Sequence, residues 1–149
     1  MTTQDLLAAV KSIQPLIAAH AAEAEANRQL SSVVYDAMYR ANLFAMSAPR
    51  ARGGLELHPV ESMQVWEAIA HIDSAAAWNL VMNQGIAAYA AWLPAEGADD
   101  LFSQGVPTIA GALFPSGQAI RVAGYRSGFL RQRLSERPMA RNANDRNGK

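Results

Sequence analysis

The chain has 149 residues, of which 50% are hydrophobic and 17% are charged, and it contains no cysteine. This length suits one domain with an appendage, and the composition excludes a chain that is disordered throughout. The lack of cysteine excludes disulfide bridges, thiolate zinc sites and a cysteine nucleophile, and it fits the reducing cytoplasm, where we expect the protein.

The net charge of zero hides two unequal parts. Residues 1–125 carry six basic and eleven acidic side chains, giving −5, and residues 126–149 carry seven basic and two acidic ones, giving +5. Apolar residues are sparse after this break, and arginine and asparagine dominate. We therefore predict a patterned domain up to about Tyr125 and a basic, disordered tail over 127–149.

Two helices are predicted in the first 42 residues. Segment 4–27 has apolar residues at three- and four-residue spacing, which is typical of an amphipathic helix. Pro15 lacks the N–H group that a helix interior needs, so we expect a kink or a restart there. A second helix is predicted from a serine cap over 31–40, with Asn42 as its stop residue.

A connector and a loop are predicted next. The connector contains Leu43, Phe44 and Met46 and is expected to be buried, and the Pro- and Gly-containing segment 49–54 is expected to form a loop. The two arginines and two glycines of this loop could hold a phosphate. No Lys-Ser/Thr follows the glycines and no strand precedes them, so the pattern favours a solvated loop.

Two more helices follow, and the second is the most apolar segment of the chain. The first of them is predicted from Pro59 to about His71, with an apolar stripe formed by Val60, Met63, Trp66, Ile69 and Ala70. The second is predicted from a cap at Asp73 or Ser74 over 75–92. Its length is nearly that of a membrane span, but it is mostly small residues, carries three amides and lacks basic flanks. We therefore predict a central core helix and no membrane segment.

The chain then changes from helical to strand-like patterning. A short helix is predicted over 95–103, followed by weakly strand-like residues 108–113, a turn at 115–117 and an alternating strand at 118–122. The pattern is five or six helices followed by the start of a β region.

Candidate catalytic and metal-binding residues are few. The three histidines stand far apart in sequence, so a metal site would have to be assembled from distant segments, and we predict none. No Ser-His-Asp arrangement or carboxylate pair stands out, so the catalytic residues are unknown. The polar residues of segment 82–89 fit two interpretations equally: amides pointing into a ligand cavity, or amides bonded to neighbouring helices. The basic tail has Phe129 as its one aromatic residue, which disfavours nucleic-acid binding.

A series of short motifs occurs in a fixed order over about 110 residues. They are Pro15-Leu16-Ile17, Leu43-Phe44, Pro49 with Gly53-Gly54-Leu55-Glu56, Asp73-Ser74-Ala75-Ala76-Ala77-Trp78, Leu93-Pro94, Ala110-Gly111, Pro115-Ser116-Gly117-Gln118-Ala119 and Val122-Ala123-Gly124-Tyr125-Arg126. In order and spacing, these motifs resemble the N-terminal part of the acyl-CoA dehydrogenase superfamily. The likeness is closer to its flavin-dependent monooxygenase branch, the two-component aromatic hydroxylases. Arg52 departs from the family pattern, which often has an aromatic residue there.

The resemblance implies a mainly α fold. It places the N-terminal α-helical domain of the acyl-CoA dehydrogenase fold at 1–105 and the first one or two strands of the middle β domain at 106–126. In the family a β-barrel and a C-terminal four-helix bundle enclose FAD or reduced FMN, and the enzymes are usually homotetramers. The flavin-contacting strand and the bundle are missing here, so the cofactor-binding residues are unknown and we expect this chain alone not to retain flavin.

The resemblance also implies a role for the N-terminal helices, which wall one side of the substrate pocket in the family. The residues implied for this pocket are Met82, Asn83, Tyr89 and Pro115, and the implied substrate is a small aromatic or acyl compound. The chain would then be an inactive fragment of a flavin-dependent oxidoreductase. The alternative is a non-enzymatic helical interaction module with a basic tail.

The family pattern disappears near residue 126. Codons for Leu130 to Ala140, read one base later, permit Phe-Ala-Ser-Gly-Cys-Gln-Asn-Ala-x-Trp, which is close to the family's next segment, although only the Trp is compelled. We therefore hypothesise a frameshift near residues 126–129. Coding DNA whose shifted frame meets stop codons at once, or shows no family segment, would contradict it.

Overall fold

The computed structural model describes residues 1–109, 118–120 and 129–131. The chain divides into two compact units, Met1–Gly111 and Ala112–Lys149. In the first unit the helices are α1 (Thr3–Asn27), α2 (Ser32–Arg40), α3 (Pro59–Ala70), α4 (Ser74–Ala87) and α5 (Ala95–Phe102). Short 3₁₀ turns occur at Leu43–Ala45, Arg50–Arg52 and Ala88–Trp92. The predicted mainly α fold is confirmed.

The second unit contains a two-stranded antiparallel sheet. β1 (Gln118–Ile120) pairs with β2 (Phe129–Arg131), and Ala119 lies opposite Leu130. β1 lies within the strand predicted at 118–122. β2 lies within the segment predicted to be disordered, and the rest of that segment is outside the described residues. Of the strand predicted at 108–113, Thr108 and Ile109 are not in a strand, and the other residues are outside the described part.

Helix α1 continues through Pro15, so the predicted restart does not occur. Pro15 and Lys11, one turn earlier, are both exposed. Water can therefore bind the carbonyl group that the proline leaves without an N–H partner. The opposite face of the helix buries Leu6, Val10 and Ile17 against the core.

A capping box begins α1. The Thr2 hydroxyl accepts a hydrogen bond from the Asp5 N–H group (3.2 Å), and the Asp5 carboxylate accepts one from the Thr2 N–H group (2.7 Å). Two hydrogen bonds hold the pKa of Asp5 below its usual value of 3.8. The bond from the Thr2 backbone has the larger effect, and the bond with the Thr2 side chain has the smaller one. The charged form of Asp5 therefore stabilises the first turn of α1.

We expect the first turn of α1 to fray in acid. Because the pKa of Asp5 is lowered by folding, its stabilising effect is complete above the unfolded value of about 4 and is lost as the pH falls through the folded value. Backbone chemical shifts of residues 3–6 between pH 6 and pH 2 would measure this. Asp5→Asn keeps an acceptor oxygen without the charge, so it should remove the pH dependence; shifts that titrate equally in both proteins would contradict the assignment.

The main core lies between α1, α2, α3, α4 and the connector at 43–48. Its central side chains are large and fully buried, namely Leu6, Ile17, Met38, Leu43, Met46, Ile69 and Leu80. Asn42 ends α2 with a left-handed backbone (φ 58°), as its sequence position predicts. The predicted burial of the connector is confirmed, since Leu43, Phe44 and Met46 are at most 3% exposed.

Helix α3 begins at Pro59 as predicted, but it buries a different face from the expected one. Ser62, Val65 and Ile69 point into the core, whereas Val60 and Met63 are 55% and 57% exposed. The apolar residues of α3 surround more than one face, so their spacing identifies a helix without choosing the side that packs on α1 and α4. The predicted stripe is correct at Ile69, half-buried at Trp66 and wrong at Val60, Met63 and Ala70, which are exposed.

Helix α4 lies at the centre of the first unit. The Asp73 carboxylate caps it by accepting hydrogen bonds from the N–H groups of Ala75 (3.0 Å) and Ala76 (3.3 Å), as predicted. It packs on α1, α3 and the connector through one side. Among the residues that the structure describes, no helix combines the length and the apolar character that crossing a membrane requires.

Candidate functional site

One side of α4 and of the 3₁₀ turn after it carries large apolar side chains that nothing in the described part covers. Trp78, Met82, Tyr89 and Trp92 repeat at intervals of three, four or seven residues, which places them along one side of the helix. Their exposed fractions run from 46% at Met82 to 76% at Trp92, and the rings of Tyr89 and Trp92 lie 5.7 Å apart. We call these four residues the α4 stripe. The prediction of a core helix is therefore correct for one side of α4 only.

The structure describes three of the four predicted pocket residues, and they do not share one environment. Met82 and Tyr89 belong to the α4 stripe, and Asn83 lies beside Met82 with 4% of its surface exposed. The Asn83 Nδ2 group donates a hydrogen bond to the carbonyl oxygen of Ile109 (3.0 Å). Its Oδ1 atom is buried and has no hydrogen-bond partner among the described residues. Pro115 lies outside the described residues.

The neighbouring amide, Gln84, is bonded entirely within the protein. It is fully buried, its Oε1 atom accepts a hydrogen bond from the Ser47 N–H group (2.7 Å), and its Nε2 group donates to the Leu43 carbonyl. Of the two interpretations open for these amides, bonding to a neighbouring segment is therefore right for Gln84. Asn83 fits each interpretation in part. Its nitrogen is bonded to a neighbouring segment, and its buried oxygen has no partner among the described residues.

The loop at 49–54 uses its arginines internally. The guanidinium of Arg52 pairs with the Asp99 carboxylate of α5. The Arg50 N–H group donates to the Glu56 carboxylate (2.9 Å), and the Arg50 side chain donates to the Leu55 carbonyl (3.3 Å). These contacts favour a structural role for the loop and disfavour phosphate binding. Nothing in the local sequence pointed to Asp99 as a partner, because it follows Arg52 by 47 residues.

The histidines serve local structure. His58 caps α3, accepting a hydrogen bond from the Val60 N–H group (3.3 Å), and the His20 ring bonds the Glu23 carboxylate (2.8 Å). Within the described ranges, no three histidine, aspartate or glutamate side chains come together in a way that could hold a metal ion.

Comparison with known proteins places this helical arrangement in a family. Residues 4–100 match the model of the acyl-CoA dehydrogenase N-terminal domain. Indole-3-acetate monooxygenase from Pseudomonas putida is 32% identical over 104 residues, which are 68% of this chain and 26% of that enzyme. The structure of XiaF from Streptomyces sp. in complex with FADH2 and glycerol has a TM-score of 0.76 at 22% identity, covering 86% of this chain and 32% of XiaF.

The chain therefore spans about a quarter of that monooxygenase and about a third of XiaF. The low identity to XiaF makes that likeness one of fold. The family match covers α1 to α4 and most of α5. The chain belongs to the acyl-CoA dehydrogenase family, whose N-terminal domain it carries.

Proposed function

We propose that this chain supplies the N-terminal helical domain of a flavin-dependent oxidoreductase, and that the α4 stripe is one wall of its substrate pocket. The observation that carries the proposal is the stripe itself: four large apolar side chains are exposed along α4 and the 3₁₀ turn after it, while the other side of α4 is packed in the core. Exposed apolar patches of this kind mark ligand grooves or interfaces with other protein segments. The two tryptophan rings and the tyrosine ring suit a planar substrate.

The substrate class we propose is a small aromatic or acyl compound, and the aromatic one is favoured by the relative that acts on indole-3-acetate. Within the wall, we assign contact with the substrate to Met82 and Tyr89. Methionine adapts to irregular apolar shapes, and tyrosine offers a flat ring with a polar end. Asn83 would hold the chain at Ile109 behind this wall.

We propose that the described residues do not make a flavin site by themselves. A flavin needs a pocket closed on several sides, whereas the α4 stripe is open and the two arginines of the 49–54 loop are engaged within the chain. We therefore propose that FAD or FMN is not retained by this chain alone and that it is inactive without the other domains of an enzyme. Absorbance near 450 nm in the purified chain, at one flavin per chain, would contradict this part of the proposal.

A domain graft tests the pocket wall. Residues 1–109 would replace the matching region of the Pseudomonas putida enzyme, and oxidation of indole-3-acetate by the chimera would be measured. We expect activity, and we expect Met82→Ala to raise KM about tenfold because it removes apolar contact with the substrate.

Met63→Ala is the matched control for the graft, because Met63 is similarly exposed but lies on α3, outside the stripe. It should leave KM unchanged. Equal effects of the two substitutions in a folded, active chimera would refute the pocket wall. A folded chimera that binds flavin but does not oxidise indole-3-acetate would refute the proposed substrate class.

A further inference from the structure

A cavity of about 420 Å³ lies where the end of α1, the start of α2 and the first half of α4 meet. Its lining includes Arg28, Leu30, Tyr35, Phe44, Asn79 and Thr108. Met82, Asn83 and Tyr89, the described residues proposed for the substrate pocket, do not line it, so it is distinct from the α4 stripe. A smaller cavity of about 220 Å³ shares Arg28, Leu30 and Asn79 with it and therefore adjoins it.

The inner side of this cavity is apolar and aromatic. Phe44 is buried, Leu30 and Tyr35 are half-buried, and the Tyr35 and Phe44 rings lie 5.3 Å apart. The Tyr35 hydroxyl bonds the Thr108 hydroxyl (2.6 Å), which fastens α2 to the segment after α5 beside the cavity. A space of this volume with apolar walls and a few polar groups has the size and character of a small-ligand pocket.

Arg28 is the one charged residue of the lining. Its backbone is left-handed (φ 51°, ψ 34°) and closes α1, where glycine is the usual residue because it has no Cβ to clash. The closing bonds are backbone ones: Arg28 N–H to Glu25 O (3.2 Å) and Gln29 N–H to Ala24 O (3.1 Å). The helix end therefore does not need an arginine side chain, and the left-handed position is occupied by an exposed arginine that is one of the residues lining the cavity.

The charge of Arg28 is also not used within the described part of the chain. Its guanidinium forms no ion pair there, and Glu25, which lines the adjoining smaller cavity, does not pair with it. An unpaired guanidinium beside an apolar pocket favours a ligand with a carboxylate, which arginine binds through two parallel hydrogen bonds.

We propose that this cavity binds a small aromatic carboxylate. The ring of the ligand lies against Leu30, Tyr35 and Phe44, and its carboxylate is bound by Arg28 at the rim. Every described residue of the lining belongs to the first unit, and the proposed binding involves no flavin. It therefore stands independently of the proposed oxidoreductase function.

Binding of phenylacetate to the full 149-residue chain, followed by calorimetry and by amide chemical shifts, tests the site. Phenylacetamide, which has the ring without the charge, and acetate, which has the charge without the ring, should each bind at least about tenfold more weakly. Shifts should concentrate at residues 28–35 and at Asn79. Equal affinity for phenylacetate and phenylacetamide, or no binding of phenylacetate at 10 mM, would refute the proposal.

Variants of Arg28 distinguish an effect on ligand binding from an effect on the stability of the fold. Arg28→Gly removes the guanidinium and relieves the left-handed backbone, so affinity should fall about tenfold while Tm stays the same or rises. Arg28→Lys keeps a cation and should retain part of the affinity. Arg40→Gln is the matched control, since Arg40 is an exposed arginine at the end of α2 outside the cavity, and it should change affinity less than twofold. An Arg28→Gly protein that binds phenylacetate as well as the parent would refute the site.

Discussion

Replacing Gln84 with leucine is expected to lower the free energy of unfolding by about 3 kcal/mol. The side chain is fully buried, and it satisfies the Ser47 N–H group and the Leu43 carbonyl at once. Leucine fills a similar volume but leaves both backbone groups without partners, and each unsatisfied buried group costs about 1–3 kcal/mol. The extra apolar surface offsets part of this loss. Urea unfolding followed by circular dichroism measures the difference.

Gln64→Leu is the matched control for this prediction, because Gln64 is an exposed glutamine on α3. The same chemical change there should alter stability by less than about 0.5 kcal/mol. Gln84→Glu adds a second check. At neutral pH its carboxylate cannot donate to the Leu43 carbonyl, and burial should raise the pKa of the new carboxyl. Its stability deficit relative to the parent should therefore shrink as the pH falls. A Gln84→Leu protein as stable as Gln64→Leu would show that the bonds to the connector contribute nothing.

The helices of this protein are predictable because residues at or next to each helix end determine where it begins or stops. Pro59 begins α3, Asp73 caps α4 and Asn42 ends α2, and each does so within a few residues of the signal. Pro15 was a poorer guide to where a helix ends, because α1 continues through it. Pro15 lies on an exposed face, where water can bind the carbonyl group that lacks an N–H partner. The resemblance then supplied the family, which spacing alone does not specify.

Three features that the sequence did not predict depend on distant contacts. The buried face of α3 is chosen by α1 and α4, so it contains Ser62 and leaves Met63 in solvent. Gln84 finds its partners in a connector some 40 residues earlier, and Arg52 finds its partner in α5. The pocket residues were placed by resemblance: Met82 and Asn83 lie on α4 and Tyr89 lies in the 3₁₀ turn after it, and their contact with a substrate stays a prediction. The frameshift hypothesis and the homotetramer also stay predictions.

Replacing Gly54 with alanine is expected to lower the free energy of unfolding by about 4 kcal/mol. A Cβ atom there would overlap the carbonyl group of Ala48 and lie 2.6 Å from its Cβ atom. Ala48 is fully buried, so it cannot move aside. The connector at 43–48 and residues 54–57 would have to separate, breaking the bonds from Leu55 N–H to Ala45 O (2.8 Å) and from Leu57 N–H to Met46 O (2.9 Å). The added methyl group meets the Ala48 backbone and not a flexible side chain, so the cost should exceed the roughly 1–3 kcal/mol typical of over-packing between side chains.

Two other glycines separate this clash from the general effect of adding a methyl group. Gly53 has open space around it but a left-handed backbone (φ 81°), so Gly53→Ala should cost only about 1–2 kcal/mol. Gly97 lies inside α5 with nothing within 4 Å, so Gly97→Ala should stabilise the protein by about 0.5–1 kcal/mol. Thermal unfolding of the three variants should therefore rank Gly97→Ala above the parent, Gly53→Ala below it and Gly54→Ala lowest.

The connector that Gly54 contacts also carries the Ser47 N–H group, which donates to Gln84 of α4. Gly54→Ala should therefore loosen α4 as well, and with it the α4 stripe. A Gly54→Ala protein no less stable than Gly53→Ala would mean that the two segments do not pack this closely.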